Sequence, residues 1–301
     1  MSELFCGVLL VNKPYGMTSH DVVNKVRRIF NTKKVGHTGT LDPMATGVLP
    51  VLVGRAVKAS EYLVSDSKTY LAKMKLGLTT DTEDTSGKVL ETCTFLPEDS
   101  KVIECAKSFI GDYLQTPPMY SALKVKGKKL CDLAREGVTI EREARLVQVH
   151  SLDIKKCDDG EWEILTSVSK GTYIRTLISD IGKKLSCGGV MSSLERRVSG
   201  DFSIENCVTL EDLEKMTDEE KKNALLSVES LFVALCDVTL PDFYTTLMKN
   251  GAEIYLNRAK IHLDLQLGDR VRVYDACGNF FALGEVRNFD TGLAIKPIKF
   301  F

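Results

Sequence analysis

GHTGTLDPMATGVLP, residues 36–50, contains one residue that is charged at neutral pH, Asp42. Glycine, threonine and proline surround that carboxylate, and an apolar run from Val48 to Val53 follows it. Aspartate before proline is common in turns, where its side chain bonds nearby main chain. A lone acid among small and apolar residues also suits a catalytic carboxylate. The residues on either side have to decide between the two.

Upstream, residues 6–12 read as a strand, not as the core of a signal peptide. Lys13-Pro14-Tyr15-Gly16 ends it. A helix is expected from Thr18 or Ser19, with Asp21 in its first turn, where the helix dipole favours an acid. Val22, Val23, Val26, Ile29 and Phe30 fall on one helical face, with Lys25, Arg28 and Lys33 largely away from it. Downstream, residues 48–53 and 68–76 read as strands, and 79–88 as a polar loop without the spacing of a calcium site. Val102 to Ile110 repeats the helical pattern, with Gly111 as its stop. Residues 116–137 open on a double proline and carry a lysine cluster that reads as an exposed loop. A strand over 162–169 precedes a helix from about Thr172, whose apolar face runs from Tyr173 to Leu185 and which Gly188-Gly189 ends. Thr209 with Asp212 and Thr217 with Glu220 have capping-box spacing, so two short acidic helices are expected. After residue 235 the pattern changes to short alternating segments, such as DRVRVYD and FFALGEV, which suggest a small β-barrel joined to a larger α/β body.

The chain has 301 residues, enough for one large domain or two unequal ones. No apolar run approaches the roughly 20 residues of a membrane helix, so no membrane association is expected. The nine cysteines are scattered, with no CxxC pair and no histidine at ligand spacing. That argues against a disulfide framework and a zinc site and fits free thiols in a reducing, cytoplasmic setting. Net charge is only −1, but it is unevenly spread. Residues 22–38 hold five basic side chains and no acid, and residues 121–129 hold Lys124, Lys126, Lys128 and Lys129 and no acid. Such patches are compatible with a polyanionic partner, although solvated helix faces read the same way.

Arg175 stands where a cation is disfavoured, in the first turn of its helix and at the edge of the apolar face. A partly buried arginine needs an anion, and Asp42 among apolar residues needs a cation. Each supplies what the other lacks, unless Arg175 simply reaches solvent. Tyr70 and Tyr173 sit at polar edges of a strand and a helix, either packed in the core or offering a stacking surface to a base.

Five blocks together resemble the TruB-type pseudouridine synthases of the bacterial, stand-alone kind: GVLLVNKPYGMTSHDVVNKVRR, GHTGTLDPMATGVLPVLVGRAVK, KTYLAKMKLGLTTDTEDTSG, PPMYSALKVKGKKLCDLAREG and SKGTYIRTLISDIG. Their order and spacing fit over residues 6 to about 200, and the last 65 or so residues more weakly resemble a PUA-like RNA-binding barrel. The resemblance implies an α/β (α+β) fold. Its mixed, largely antiparallel sheet is flanked by helices and followed by a small C-terminal barrel. The implied domains are a catalytic one over 1–236, with an RNA-binding insertion at about 116–145, and a PUA-like one over 237–301. It implies isomerisation of uridine to pseudouridine at the T-loop position conventionally numbered 55 in tRNA, without cofactor or metal. Asp42 is then the essential carboxylate, Arg175 its partner and Tyr70 the ring that stacks on the target base. His37 helps hold the flipped-out nucleotide, Tyr173 and Leu194 line its pocket, and Asp84 supports. Lys124, Lys126, Lys128 and Lys129 contact phosphates of the T-arm. A monomer that needs no protein partner is expected. Competing readings are a tRNA-folding chaperone with incidental catalysis, a guide-RNA-dependent synthase subunit, and a small-molecule enzyme that would leave the lysine loop and barrel unexplained.

Overall fold

The computed structural model describes residues 5–62, 67–121, 123–125 and 127–301, and for Lys124 and Lys129 the main chain only. The chain begins with β1 (Gly7–Lys13), α1 (Ser19–Ile29), β2 (Val35–His37), β3 (Thr46–Val53), β4 (Ser67–Leu76), β5 (Leu78–Thr80) and β6 (Val89–Thr92). It continues through α2 (Asp99–Lys107), β7 (Gly111–Gln115), β8 (Lys124–Val125), β9 (Lys128–Lys129), α3 (Leu130–Arg135), β10 (Arg145–Lys156), β11 (Trp162–Ser169) and α4 (Ile174–Lys184). β12 (Gly189–Ser199), β13 (Phe202–Ser203), α5 (Leu210–Lys215), α6 (Asp218–Asn223) and β14 (Leu225–Leu226) complete the larger body. Last come β15 (Cys236–Thr239), α7 (Asp242–Lys249), β16 (Ile254–Tyr255), β17 (Arg270–Tyr274), β18 (Phe280–Phe289) and β19 (Gly292–Phe300).

One mixed sheet organises the body, in the order β14-β1-β3-β12-β4-β11-β10-β7, with β2 beside β3 and β13 beside β12. Its pairings are antiparallel except one. β3 and β12 run parallel, and Thr46 and Gly47 pair with Glu195 and Arg196. That pairing places the end of the Asp42 loop beside Leu194 and Arg196. It also requires a glycine, because Gly47 has φ +99° and a Cβ there would meet the Arg196 carbonyl oxygen at 2.2 Å.

The elements follow from local chemistry. Thr18 and Asp21 close a reciprocal capping box that starts α1, and Asn31 at φ +46° ends it in the left-handed conformation. Val22, Val23 and Val26 bury against Leu9, Val11, Leu49 and Val51 of β1 and β3. Each such side chain contributes about 1.5–3 kcal/mol on leaving water. The acidic α5 packs against α1, and Lys25 meets Glu214 at 3.2 Å, so part of the basic stretch pairs within the chain.

The second sheet, β15-β17-β18-β19-β16, curls into a half-barrel. Leu283 of β18 shares a buried cluster with Val8, Leu10 and Leu52, so it packs on the body's sheet.

Four elements differ from the sequence reading. α2 ends at Lys107, before Phe109 and Ile110, and Gly111 at φ +106° opens β7 instead of capping a helix. α4 starts at Ile174, with Tyr173 as an extended cap residue. Ser186, left-handed at φ 58°, turns the chain out of it two residues before the glycine pair. The lysine cluster is not a plain loop, because β8 and β9 form a hairpin that leads into α3. The polar loop 79–88 is partly ordered as β5, and its Asp84 is buried.

Candidate active site

Asp42 lies in the loop between β2 and β3, and side chains from elsewhere hold both its neighbours. Ser19, at the start of α1, accepts from the Leu41 N–H at 2.9 Å and donates to the Leu41 carbonyl at 3.1 Å. The Pro43 carbonyl accepts from Lys13 Nζ at 3.1 Å and from the Gly16 N–H at 2.9 Å. Arg196 Nε donates to the Val48 carbonyl at 2.7 Å and Nη2 to the Gly39 carbonyl at 3.2 Å, joining the two ends of the loop. The carboxylate therefore sits on main chain fixed on each side.

Arg175, 4% exposed, projects from the first turn of α4, with its Nε 2.9 Å from Asp42 Oδ2. The Nε–H is not aligned with the carboxylate, so the contact is an ion pair more than a directed hydrogen bond. The other end of the guanidinium is fastened: Nη1 donates to the Thr82 carbonyl at 3.0 Å and Nη2 to the Tyr120 carbonyl at 2.9 Å. Asp84 Oδ2 lies 3.7 Å from Nη1. One arginine thus faces two carboxylates of different character. Asp84 is 7% exposed, and its Oδ1 accepts from Thr82 Oγ1, the Ser86 N–H and Ser86 Oγ. Asp42 is hemmed in by protein yet keeps 38% of its exposure, so it is less buried than its sequence surroundings imply. Burial raises its pKa above the usual carboxylate value, and the Arg175 charge opposes that rise. Such a carboxylate is more basic than an ordinary one, which suits proton acceptance or attack.

Apolar walls complete the centre. Tyr70 (7% exposed), Leu41, Ile174 and Leu194 belong to one buried cluster. Tyr70 stands on β4 between Thr166 of β11 and Arg196 of β12. Tyr173 is half-buried at the cap of α4, and burial raises its phenol pKa. His37, on β2, has a buried Nδ1 without a hydrogen-bond partner among the described residues. Burial first, then the charges of Arg196 and His20, lower its pKa, so the imidazole is neutral at pH 7. The structure therefore brings Asp42, Arg175 and Asp84 into contact and Tyr70 and Leu194 into one wall. Lys124, Lys128 and Lys129 belong to the β8–β9 hairpin. Lys128 is exposed, Lys124 and Lys129 pair through their main chains, and Lys126 lies outside the described residues. The root of the insertion does reach the centre, through Tyr120 on Arg175.

Lys13, Ser19, Gln115 and Arg196 are functional candidates that the sequence reading passed over. Lys13 had a signal. It follows Leu9 and Val11 at period two on the inward face of β1 and is fully buried, and burial lowers its pKa to about 8 against the raising effect of Asp42. Ser19, Gln115 and Arg196 bond main chain, which leaves no sequence pattern. Among the described residues, no group of three or more His, Cys, Asp or Glu side chains is placed to hold a metal ion.

Two family models match the chain. The TruB family pseudouridylate synthase N-terminal domain matches residues 27–174, and the tRNA pseudouridylate synthase B C-terminal domain matches residues 175–241. The chain is 44% identical to the tRNA pseudouridine synthase B of Alkaliphilus oremlandii, over 94% of each chain. It is 42% identical to that of Clostridium tetani, over 93% of this chain and 95% of the other. Among solved structures it resembles one of a Cbf5-Nop10-Gar1 complex, with a TM-score of 0.73 and 28% identity over 99% of this chain and 85% of that one.

Proposed function

The chain belongs to the TruB family of pseudouridine synthases, and we propose that it isomerises the T-loop uridine conventionally numbered 55 in tRNA, as a free-standing enzyme with Asp42 as the essential carboxylate. One observation carries the assignment of Asp42: its carboxylate lies 2.9 Å from a buried arginine at the edge of an apolar wall, with its own exposure partly kept.

The uracil leaves the sugar by cleavage of the C1′–N1 bond, turns, and rejoins through a C1′–C5 bond. The hydrogen on C5 departs as a proton, and N1 gains one. Nothing is oxidised and nothing is added, so the isomerisation itself calls for neither cofactor nor metal. The target base must first leave its stack, at a cost of a few kcal/mol. Stacking on Tyr70 offsets about 1–3 kcal/mol of that. The neutral His37 occupies space beside the extruded nucleotide without adding charge, and Tyr173 and Leu194 close the pocket. Arg175 keeps Asp42 ionised when the nucleotide displaces water from around it. Asp84 holds the far side of the same guanidinium. On this reading, residues 1–236 form the catalytic domain, the insertion at about 116–145 grips the T-arm, and residues 237–301 form an accessory RNA-binding domain.

Tritium release from a tRNA transcript labelled at uridine C5 tests the proposal, with wild type beside Asp42→Asn. Release by wild type, loss of it in Asp42→Asn by a factor of about 10²–10⁴, and tRNA affinity kept within a few fold are expected. Retained turnover in the variant defeats the assignment of Asp42. The likeness to the Cbf5 complex favours a second reading, a synthase subunit that needs a guide RNA. Release from the bare transcript counts against it, and tight binding without release counts for it.

A further inference from the structure

Gln115 is 1% exposed and ends β7, one residue before the insertion begins. Its amide faces the main chain of a single residue on another element. Oε1 accepts from the Tyr173 N–H at 2.8 Å, and Nε2 donates to the Tyr173 carbonyl at 3.0 Å. This is the contact a neighbouring strand would make, supplied by one side chain. The second Nε2 proton goes to Tyr113 Oη, whose own proton points to Asp180 Oδ2 on α4 at 3.5 Å. Burial raises the Tyr113 pKa, so the phenol stays protonated and the chain of donors has one direction. Tyr113 and Gln115 are two apart on one strand and share a face, so β7 holds α4 at two points.

The Arg175 side chain is itself held by the Thr82 and Tyr120 carbonyls, but among the described residues no other side chain bonds the main chain at the start of α4. Tyr173 is its cap residue, extended at φ −99° and ψ 112°, and its side chain makes no capping hydrogen bond. Thr176, next to Arg175 in the same first turn, donates from its side chain to Glu83 Oε2 at 2.6 Å and leaves the Tyr173 main chain to Gln115. Gln115 therefore constrains Tyr173 at both polar atoms of its main chain. Two residues later comes Arg175, whose Nε must arrive 2.9 Å from Asp42.

We infer that Gln115 is a positioning residue for catalysis: its amide clamps the main chain of Tyr173 and so sets where Tyr173 and Arg175 stand relative to Asp42. The inference rests on the proposed isomerase activity. It predicts a split between chemistry and binding, because Gln115 faces away from solvent while RNA affinity depends on exposed charge.

The test uses the full-length protein with Gln115→Ala and Gln115→Glu, measured by single-turnover tritium release, tRNA affinity and thermal unfolding. Gln115→Ala should slow single turnover by about 10- to 100-fold, the cost of a small misplacement near reacting groups, with tRNA affinity within about 3-fold of wild type. Gln115→Glu adds a readout that a merely structural role would not move. An ionised glutamate still accepts from the Tyr173 N–H but cannot donate to its carbonyl, whereas the protonated acid can do both. The ratio of its rate to that of wild type should therefore rise as pH falls from 8 to 5.5. A folded Gln115→Ala with an unchanged rate overturns the inference, as does a loss of rate matched by an equal loss of affinity. A pH-independent ratio for a slowed Gln115→Glu overturns it too, and so does unfolding of both variants, which assigns Gln115 to stability alone. Wild type is read first. If it is silent, the isomerase reading fails; if wild type and Gln115→Ala are equally active, only the positioning role fails.

Discussion

Asp42 stands on a loop whose main chain is gripped by Lys13, Ser19, the Gly16 amide and Arg196, whereas Lys124, Lys128 and Lys129 stand on a hairpin with two-residue strands and few anchors among the described residues. The hairpin's root is held by buried Leu130 and by the Arg142 guanidinium on the Pro117 carbonyl, and beyond α3 the chain is mostly exposed. Bond making at one carbon tolerates displacements well below an ångström, so the group that performs it must be fixed. Attraction to a phosphate backbone tolerates several ångströms, because it depends on charge more than on direction. On the proposed function the buried polar side chains divide accordingly, fastening the Asp42 loop and leaving the hairpin to electrostatics. Arg175 joins the two regions, since it touches Asp42 with one nitrogen and the insertion's Tyr120 with another.

Arg175→Ala attacks that junction and should give the largest effect of the three tests that follow. Removing one preorganised charge from an active centre costs about 10²–10³ in kcat. The expected result is a loss of that order in single-turnover rate with tRNA affinity nearly kept. Arg175→Lys should restore little, because an ammonium group cannot reach Asp42, Thr82 and Tyr120 from one planar fork. If Arg175→Ala instead weakens binding as much as turnover, the junction serves the insertion and the comparison fails.

The pH profile should show the same division with smaller changes. On the proposed function Asp42 works as the ionised carboxylate, and burial has raised its pKa. Activity is therefore retained above that pKa and falls about tenfold per unit as pH drops through it, at a pH above the usual carboxylate value near 4. On the alkaline side Lys13, with a pKa of about 8, loses its proton, and with it a positive charge near Asp42. Activity should decline above about pH 8, and Lys13→Met should remove that alkaline limb from the single-turnover rate. tRNA affinity at fixed salt should not follow either limb. A profile that is flat from pH 5 to 9 would show that neither group governs the rate.

The mutual need of Asp42 and Arg175 was legible in the sequence, because an acid in apolar surroundings and a cation at a helix start are each anomalous alone. The capping residues Thr18, Thr209 and Thr217 were legible too, and so were the alternating strands over 68–76 and 162–169. What escaped the sequence reading is long-range and directed at main chain. A glutamine that recognises the backbone of a residue 58 positions away leaves no periodicity. The same residue, Tyr173, is the extended cap at which α4 starts. The parallel pairing of β3 with β12 turns Arg196 under the Asp42 loop, where it bonds Val48 across 148 residues, and follows from no local rule. The hairpin and α3 in the lysine segment were hidden by its charge, which disguised Leu130 as the one buried anchor of a short helix.

Lys128→Ala should give the smallest effect and sharpens the comparison most. Lys128 is exposed on the hairpin, away from the fastened loop. If it contacts one phosphate, its removal shortens the slope of log affinity against log salt by about 0.7–0.9 and lowers affinity only a few fold near physiological salt. The single-turnover rate at saturating tRNA should not change, because no atom of the Asp42–Arg175 centre depends on that side chain. Measuring tRNA binding across a salt series separates this outcome from a shape effect, which would lower affinity by the same factor at every salt concentration. A change in rate at saturation would mean that the hairpin transmits more than charge. The contact between Tyr120 and Arg175 would then be the path to examine, since it ties the insertion to the guanidinium that holds Asp42.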